Sequence, residues 1–160
     1  MVLCTGWRRL NHKFMAQFIT NSFDVHFHED GINFDLLCYI YYQSDKFGLL
    51  RTKTSSDGLS VPRVVENIIE RYGKYLRAGI IHDGAFRGML EQSLDNGTTW
   101  SVWLPDEKTC NDIIDEALRS LGCSWIERET IYDALQLFGW SAFDADRHAI
   151  PQATVAVVKE

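Results

Sequence analysis

No cysteine of this 160-residue chain belongs to a Cys-x-x-Cys pair, and no set of its four cysteines and five histidines has the spacing of a zinc site. Cys4, Cys38, Cys110 and Cys123 therefore read as free thiols of a reducing compartment rather than as a disulfide framework. No apolar run approaches the roughly 20 residues that a membrane span needs. The opening MVLCTGWRRLNHK lacks the order of a secretion signal, charge first and an apolar stretch after it. Runs of like charge are also missing, and 16 Lys and Arg against 22 Asp and Glu leave a formal net charge of -6. That balance argues against a nucleic-acid partner, because phosphates are met by clustered cations. Arg8, Arg9 and Lys13 make a single small basic group. Internal repeats and low-complexity stretches are absent too. What remains is a protein expected to be made and folded in a cytoplasm, with no transmembrane segment.

What the chain does have is apolar content. At 46% hydrophobic and 24% charged it can bury a core, and its length suits one domain. Residues 18–54 read as β-rich. FIT and FDVHF are short apolar runs, and HEDG is a turn signal ending in Asp-Gly. INFDLLCYIYY is dense in β-branched and aromatic residues and reads as one strand, followed by the turn QSDKFG and a strand in GLLRTKT. Residues 55–139 read as helical. SSDGLSVPR ends at a helix start, with Ser60 as N-cap and Pro62 in the first turn. A second helix is expected over residues 74–90. A long loop or small hairpin over 94–107 carries Trp100 and Trp103, which are expected to share a face and to offer a partner contact or cover the core. A third helix runs from near Pro105 to Leu121 with Gly122 as cap, and a fourth covers 124–138. Residues 1–17 are a candidate arm, and 140–160 a tail or last strand in TVAVVK. Strands followed by helices argue α+β: an N-terminal antiparallel meander packed on three to four helices in a single domain.

The helix AGIIHDGAFRGML places two ionisable side chains in an apolar run. Ala78, Ile81, Ala85 and Met89 share one stripe at 100° per residue, and His82 falls near its centre. His82 should therefore point inward, where burial favours the neutral imidazole. Asp83 lies about 100° further round, with Arg87 as its i+4 neighbour. The structural alternative is a satisfied core histidine beside an Asp83–Arg87 surface pair. Asp57, in the loop before the preceding helix, adds a carboxylate to the hydroxyls of Ser55, Ser56 and Ser60 and makes a second polar cluster. His26 and His28 alternate on a strand but lack a third metal ligand, so a solvated face is the simpler reading.

SSDGLSVPR, YGKYLRAGIIHDGAFR, TCNDIIDEALRSLG and IYDALQLFG together resemble an uncharacterised domain family of tailed phages and prophages. The resemblance covers residues 18–139. Its pattern is a Thr-Asp-Gly/Leu-Ala-Ser-Val-Pro-Arg loop, a His-Asp-x-x-Tyr helix, and a helix opening with Ala-Asp. This chain departs from it at Ser56, Leu59 and Phe86, where threonine, alanine and tyrosine are usual. It also departs at Asn111, which takes the place of an aspartate when the helices are aligned on Ala117. Helix geometry puts Asn111 beside the Cys110/Ile114/Ala117/Leu121 stripe and Asp112 nearly opposite it. The His-Asp helix also resembles, remotely, the active-site helix of phospholipase A2. That likeness implies His82 as general base, Asp83 as ligand to a divalent cation such as calcium, and Asn111 or Asp112 as the group orienting the histidine. The glycine-rich calcium loop of those enzymes is missing, and an asparagine brings no charge to stabilise an imidazolium.

Two expectations follow. One is a phage accessory protein, virion- or tail-associated or host-interacting, made in the bacterial host cytoplasm and partnered by other phage structural proteins. In it His82, Asp83 and Asp57 form a structural network with Ser60, Arg63 and Arg87. The other is a small metal-assisted hydrolase using His82 as base, with Asp83 and Asp57 at the metal.

Overall fold

The computed structural model describes residues 15–58, 73 and 75–148. Residues 1–14 of the N-terminal arm, the helix expected after Ser60 with Ser60 and Arg63 themselves, and TVAVVK fall outside the described residues, while Gln17, expected in the arm, pairs with Gln43 in a strand. The fold is α+β. Five strands, β1 (Gln17–Phe18), β4 (Ile40–Ser44), β5 (Gly48–Thr52), β7 (Leu90–Ser93) and β8 (Ser101–Trp103), form an antiparallel sheet in the order β1-β4-β5-β7-β8. A smaller antiparallel sheet has the order β2-β3-β6, with β2 (Val25–Phe27), β3 (Phe34–Leu36) and β6 (Ser55–Ser56). Three helices are described: α1 (Leu76–Phe86), α2 (Glu107–Ser120) and α3 (Trp125–His148).

INFDLLCYIYY is thus not one strand. Phe34 and Leu36 are buried in the small sheet, and Ile40, Tyr42 and Ser44 in the large one. Cys38, which unbroken alternation would bury, is exposed at the crossing. There the backbone amide of Leu37 donates to Asp24 O at 2.9 Å. The two turns behave as their chemistry requires. The Asp30 carboxylate accepts the amides of Ile32 and Asn33 at 2.8 and 2.9 Å in the β2–β3 hairpin. Ser44 Oγ accepts the amides of Lys46 and Phe47 at 3.2 and 3.0 Å between β4 and β5.

The second helix ends four residues earlier than its apolar period suggests. Gly88, at φ 68, is the left-handed residue of a Schellman stop. Its amide donates to Ala85 O at 3.4 Å, and that of Met89 to Gly84 O at 2.8 Å. Leu90 to Ser93 then pair with β5, so the region after residue 55 is not purely helical: β7 and β8 return to the sheet. Gly122 stops α2 in the same way, with Cys123 N donating to Leu118 O at 3.0 Å. At the other end of α2, Asp106 is the N-cap and accepts Thr109 N at 2.7 Å. α3 opens with a capping box, Ser124 N to Glu127 Oε2 at 2.9 Å and Glu127 N to Ser124 Oγ at 3.3 Å. It runs to His148, ten residues past the expected end. Its last turn is tied down by Arg147, whose Nη2 donates to Ala85 O and Pro105 O at 2.8 and 2.6 Å.

The core includes Ile40, Tyr42 and Leu50 of the large sheet and Leu90 of β7, packed against Ile80 and Ile81 of α1 and Ile113, Ile114 and Leu118 of α2. Ile131 of α3 is buried in the same cluster. Each such side chain contributes about 1.5–3 kcal/mol by leaving water.

Candidate functional site

α1 approaches the sheet at one point more closely than any side chain would permit. A Cβ on Gly84 would lie 2.3 Å from Thr52 Oγ1 and 2.7 Å from Thr52 Cβ. Thr52 is fully buried on β5, and its hydroxyl donates to Met89 O at 2.9 Å. The glycine after His82 and Asp83 is therefore the contact that lets the helix sit down on the strand. Sequence reasoning missed both Gly84 and Thr52. A glycine interior to a helix, destabilising by about 1 kcal/mol relative to alanine, was the available signal for a close approach.

With the helix seated on Gly84, its two ionisable neighbours face different layers. His82, 6% exposed, turns to α2. Its Nε2 lies 3.3 Å from Oδ1 of the fully buried Asn111. Facing an amide oxygen, Nε2 carries the ring proton and donates it, which leaves Nδ1 as the lone-pair nitrogen. Burial pulls the imidazole down to a pKa of about 4, with the bond to Asn111 acting in the opposite direction. The ring is neutral at pH 7. Phe86 packs against it at 4.1 Å between centroids with the rings tilted by 41°, and Phe143 of α3 meets Phe86 edge-on at 5.2 Å. Asn111 Nδ2 is buried with no hydrogen-bond partner among the described residues. An aspartate at this position would have no such donor to orphan.

Asp83 turns instead to the small sheet. Ser56 Oγ donates to its Oδ2 at 2.6 Å, and Ser56 in turn accepts the Gly58 amide at 3.0 Å. Crowding by protein pushes the carboxyl up to about 7 even though part of the residue meets solvent. Ser56 and the Arg87 charge pull it down, and Asp57 and Asp146 push it further up. Asp57 thus stands close enough to be felt as a like charge. Arg87 donates to the Ser55 carbonyl and lies 4.0 Å from Asp146. Asp112 points away from this cluster: it takes Lys108 Nζ at 2.9 Å and the Tyr132 hydroxyl at 3.3 Å.

The two loop tryptophans do not share a face. They stand three positions apart, and an odd offset across a strand reverses the side. Trp100 lies over the Arg51 guanidinium at 4.0 Å, and Trp103 packs on Phe47 at 5.3 Å and against the core. His28 pairs with Asp35 at 3.1 Å, and His26 is exposed on β2.

Among the described residues no group of three or more His, Cys, Asp or Glu side chains is arranged to hold a metal ion. Calcium takes six to eight oxygen ligands. Among the described residues Asp83, Asp57 and Ser56 supply too few side-chain oxygens, and a Ser56 lone pair already accepts the Gly58 amide at 3.0 Å. The described donor set does not fit the cation.

A family model described as "Protein of unknown function (DUF1353)" matches residues 35–135. The chain belongs to the DUF1353 family. The matched segment of this DUF1353 chain holds Ser56, Asp57, His82, Asp83 and Asn111 and ends within α3. No curated protein matches the chain, and no solved structure does. Among the described residues no helix is long and apolar enough to cross a membrane.

Proposed function

We propose that this DUF1353 protein is a phage-encoded accessory protein, incorporated in the virion or tail or directed at a host component. In this role the His82–Asn111 and Ser56–Asp83 contacts serve as ties that fix α1 between α2 and the small sheet. The observation that carries the reading is the state of His82: covered, neutral and bonded inside the protein. A buried polar contact across two helices, here with Asn111 Nδ2 left unpaired among the described residues, specifies their registry more than it adds stability. The phage assignment rests on the resemblance of the loop and helix sequences. It places the chain in the bacterial host cytoplasm at synthesis, with other phage structural proteins as partners.

Two measurements test this. Gradient-purified particles of a phage encoding the chain, or pull-downs from its host, should recover it bound to a defined protein. His82→Asn should lower the melting temperature without removing any turnover. A folded His82→Asn protein that loses an ester hydrolysis measurable in the parent would overturn the accessory role.

That outcome would support the second reading, a hydrolase with His82 as general base. One observation favours it: Asn111 holds Nε2, which leaves Nδ1 as the nitrogen able to take a proton from water. Against it stands the pKa of about 4, which makes the ring a weak base at pH 7. Assay of short-chain esters and phospholipid vesicles, with and without added calcium, decides between the two.

A further inference from the structure

The connection between β7 and β8 holds a reactive pair in a left-handed turn. Asn96 is followed by Gly97, so no side chain shields the next backbone amide. Among the described residues Asn96 is the only non-glycine with a positive φ, 56, and Gly97 follows at φ 88. With Thr98 N donating to Asp95 O at 3.4 Å, these values make a type I′ turn, for which Asn-Gly is the favoured pair. Asn96 is exposed, so water reaches it. Ser93, Asp95 and Thr99 hold the turn shut. Gly97 N donates to Ser93 Oγ at 2.8 Å, and Ser93 Oγ donates to Asp95 Oδ1 at 2.7 Å. Asp95 also accepts Thr99 N at 2.8 Å and Thr99 Oγ1 at 2.7 Å. The Thr99 hydroxyl and amide and the Ser93 hydroxyl hold the Asp95 carboxyl down at about 2, so it is ionised at pH 7 and its bonds are charge-assisted.

The chemistry open to an Asn-Gly pair is ring closure. Gly97 N, stripped of its proton by solvent hydroxide, bonds to Asn96 Cγ. The Cγ–Nδ2 bond breaks, and Nδ2 leaves as ammonia with a proton from water. Water then opens the succinimide at either carbonyl, to aspartate or to isoaspartate. Closure needs Gly97 N and Asn96 Cβ eclipsed about the Cα–C bond. In a type I′ turn ψ of the first central residue is about 30°, which sets those two atoms roughly 150° apart. The closed turn therefore keeps the nitrogen from the carbon, and the bond to Ser93 keeps its proton in place.

We propose that Asn96 is a site of spontaneous deamidation, and that the Ser93–Asp95 network sets its rate by holding the Gly97 amide in the unreactive turn. The product carries a new carboxylate beside Asp95, and its isoaspartate form adds a backbone atom to a two-residue turn. Both changes loosen the hairpin that seats Trp100 on Arg51 at 4.0 Å. This chemistry is independent of the accessory role.

The full chain and a free peptide of residues 91–101 are incubated side by side at pH 8. Peptide mass spectrometry follows the exchange of amide for carboxyl at residue 96, and isoaspartate methyltransferase labelling identifies the rearranged product. The peptide should react at least about fivefold faster than the folded chain, since the turn must open before attack. Ser93→Ala should speed the reaction of the folded chain by about fivefold, the factor carried by one ordinary hydrogen bond, with a cooperative melt kept. Equal rates in peptide and parent, no reaction in the peptide, or an unchanged rate in a folded Ser93→Ala protein each overturn the proposal. Should Ser93→Ala fail to fold, Asp95→Asn decides alone: it keeps an acceptor but removes the charge that strengthens the network, and no acceleration overturns the proposal.

Discussion

His82 and Asp83 are consecutive residues of one helix turn, yet they live in different surroundings. The imidazole is sealed between α1 and α2 against an uncharged amide. The carboxyl sits at the helix–sheet edge, held by one hydroxyl and surrounded by Arg87, Asp57 and Asp146. Burial drives both toward the neutral form, which moves their pKa values in opposite directions. The lesson is that 100° of helix rotation is enough to assign neighbours to separate layers, and that the layer then decides the protonation state. A carboxyl left with a raised pKa is a group the fold tolerates at a cost to stability above that pKa.

The comparison depends on α1 lying flat on β5. Gly84→Ala should break it outright. The added methyl runs into Thr52 of a central strand, and overpacking of this kind costs about 3 kcal/mol. Chemical denaturation should show that loss, and both the His82–Asn111 and Ser56–Asp83 contacts should loosen together. An unchanged midpoint would mean that the close approach is not what seats the helix.

Acid should attack the His82 side. The folded pKa of about 4 lies below the free value of 6.5, so the unfolded chain binds more protons between those limits. Stability from this residue is complete above pH 6.5 and is lost as pH falls toward 4, by about 3 kcal/mol in all. The Asp83 side runs the other way: a folded pKa near 7 makes the native state bind more protons between pH 3.8 and 7, so stability falls as pH rises through that window. Asp83→Asn keeps an acceptor for Ser56 and removes the charge. It should stabilise the protein at pH 8 by about 1–2 kcal/mol, discounted for the part-exposed site. It should also steepen the rise of stability between pH 4 and 6.5, because the opposing trend is gone. Thermal melts across pH for the two proteins measure both effects.

Asn111→Asp sharpens the contrast by giving His82 the charged neighbour it lacks. The imidazole pKa should rise from about 4 to above its ordinary value, as followed by NMR titration of the ring protons. A value that stays near 4 would place residue 111 too far away to orient the histidine. The smallest effect belongs to the adjacent position. Asp112→Ala removes a surface pair with the exposed Lys108 and should change stability by less than about 1 kcal/mol.

Much of the fold was legible because its signals are local. Asp106 and Gly122 bound α2, Ser124 with Glu127 opens α3, and HEDG and QSDKFG turn the strands. The failures came where a local signal met a distant partner. Helical periodicity continues to Met89, but Gly88 can also stop the helix, and only the presence of β5 makes residues 90–93 a strand. The alternation of INFDLLCYIYY is continuous, and nothing local says that its halves join different sheets. The inward facing of His82 could be read from helix geometry. Ser56 as the partner of Asp83, Thr52 under Gly84 and Arg147 behind Phe86 could not, since each pair is separated by more than 25 residues of chain.

By itself the sequence determined which side chains could share a helix face, where helices cap, and that an imidazole and a carboxylate would stand 100° apart on an apolar helix, because these follow from bond geometry and hydrogen-bonding groups within a few residues. The tertiary structure alone decided that the imidazole meets an uncharged amide, that the carboxyl meets a serine hydroxyl, and that the end of α3 reaches back to Ala85 and Phe86. Those outcomes depend on which distant surfaces exclude water together, and desolvation is set by the whole assembly of layers rather than by any one segment.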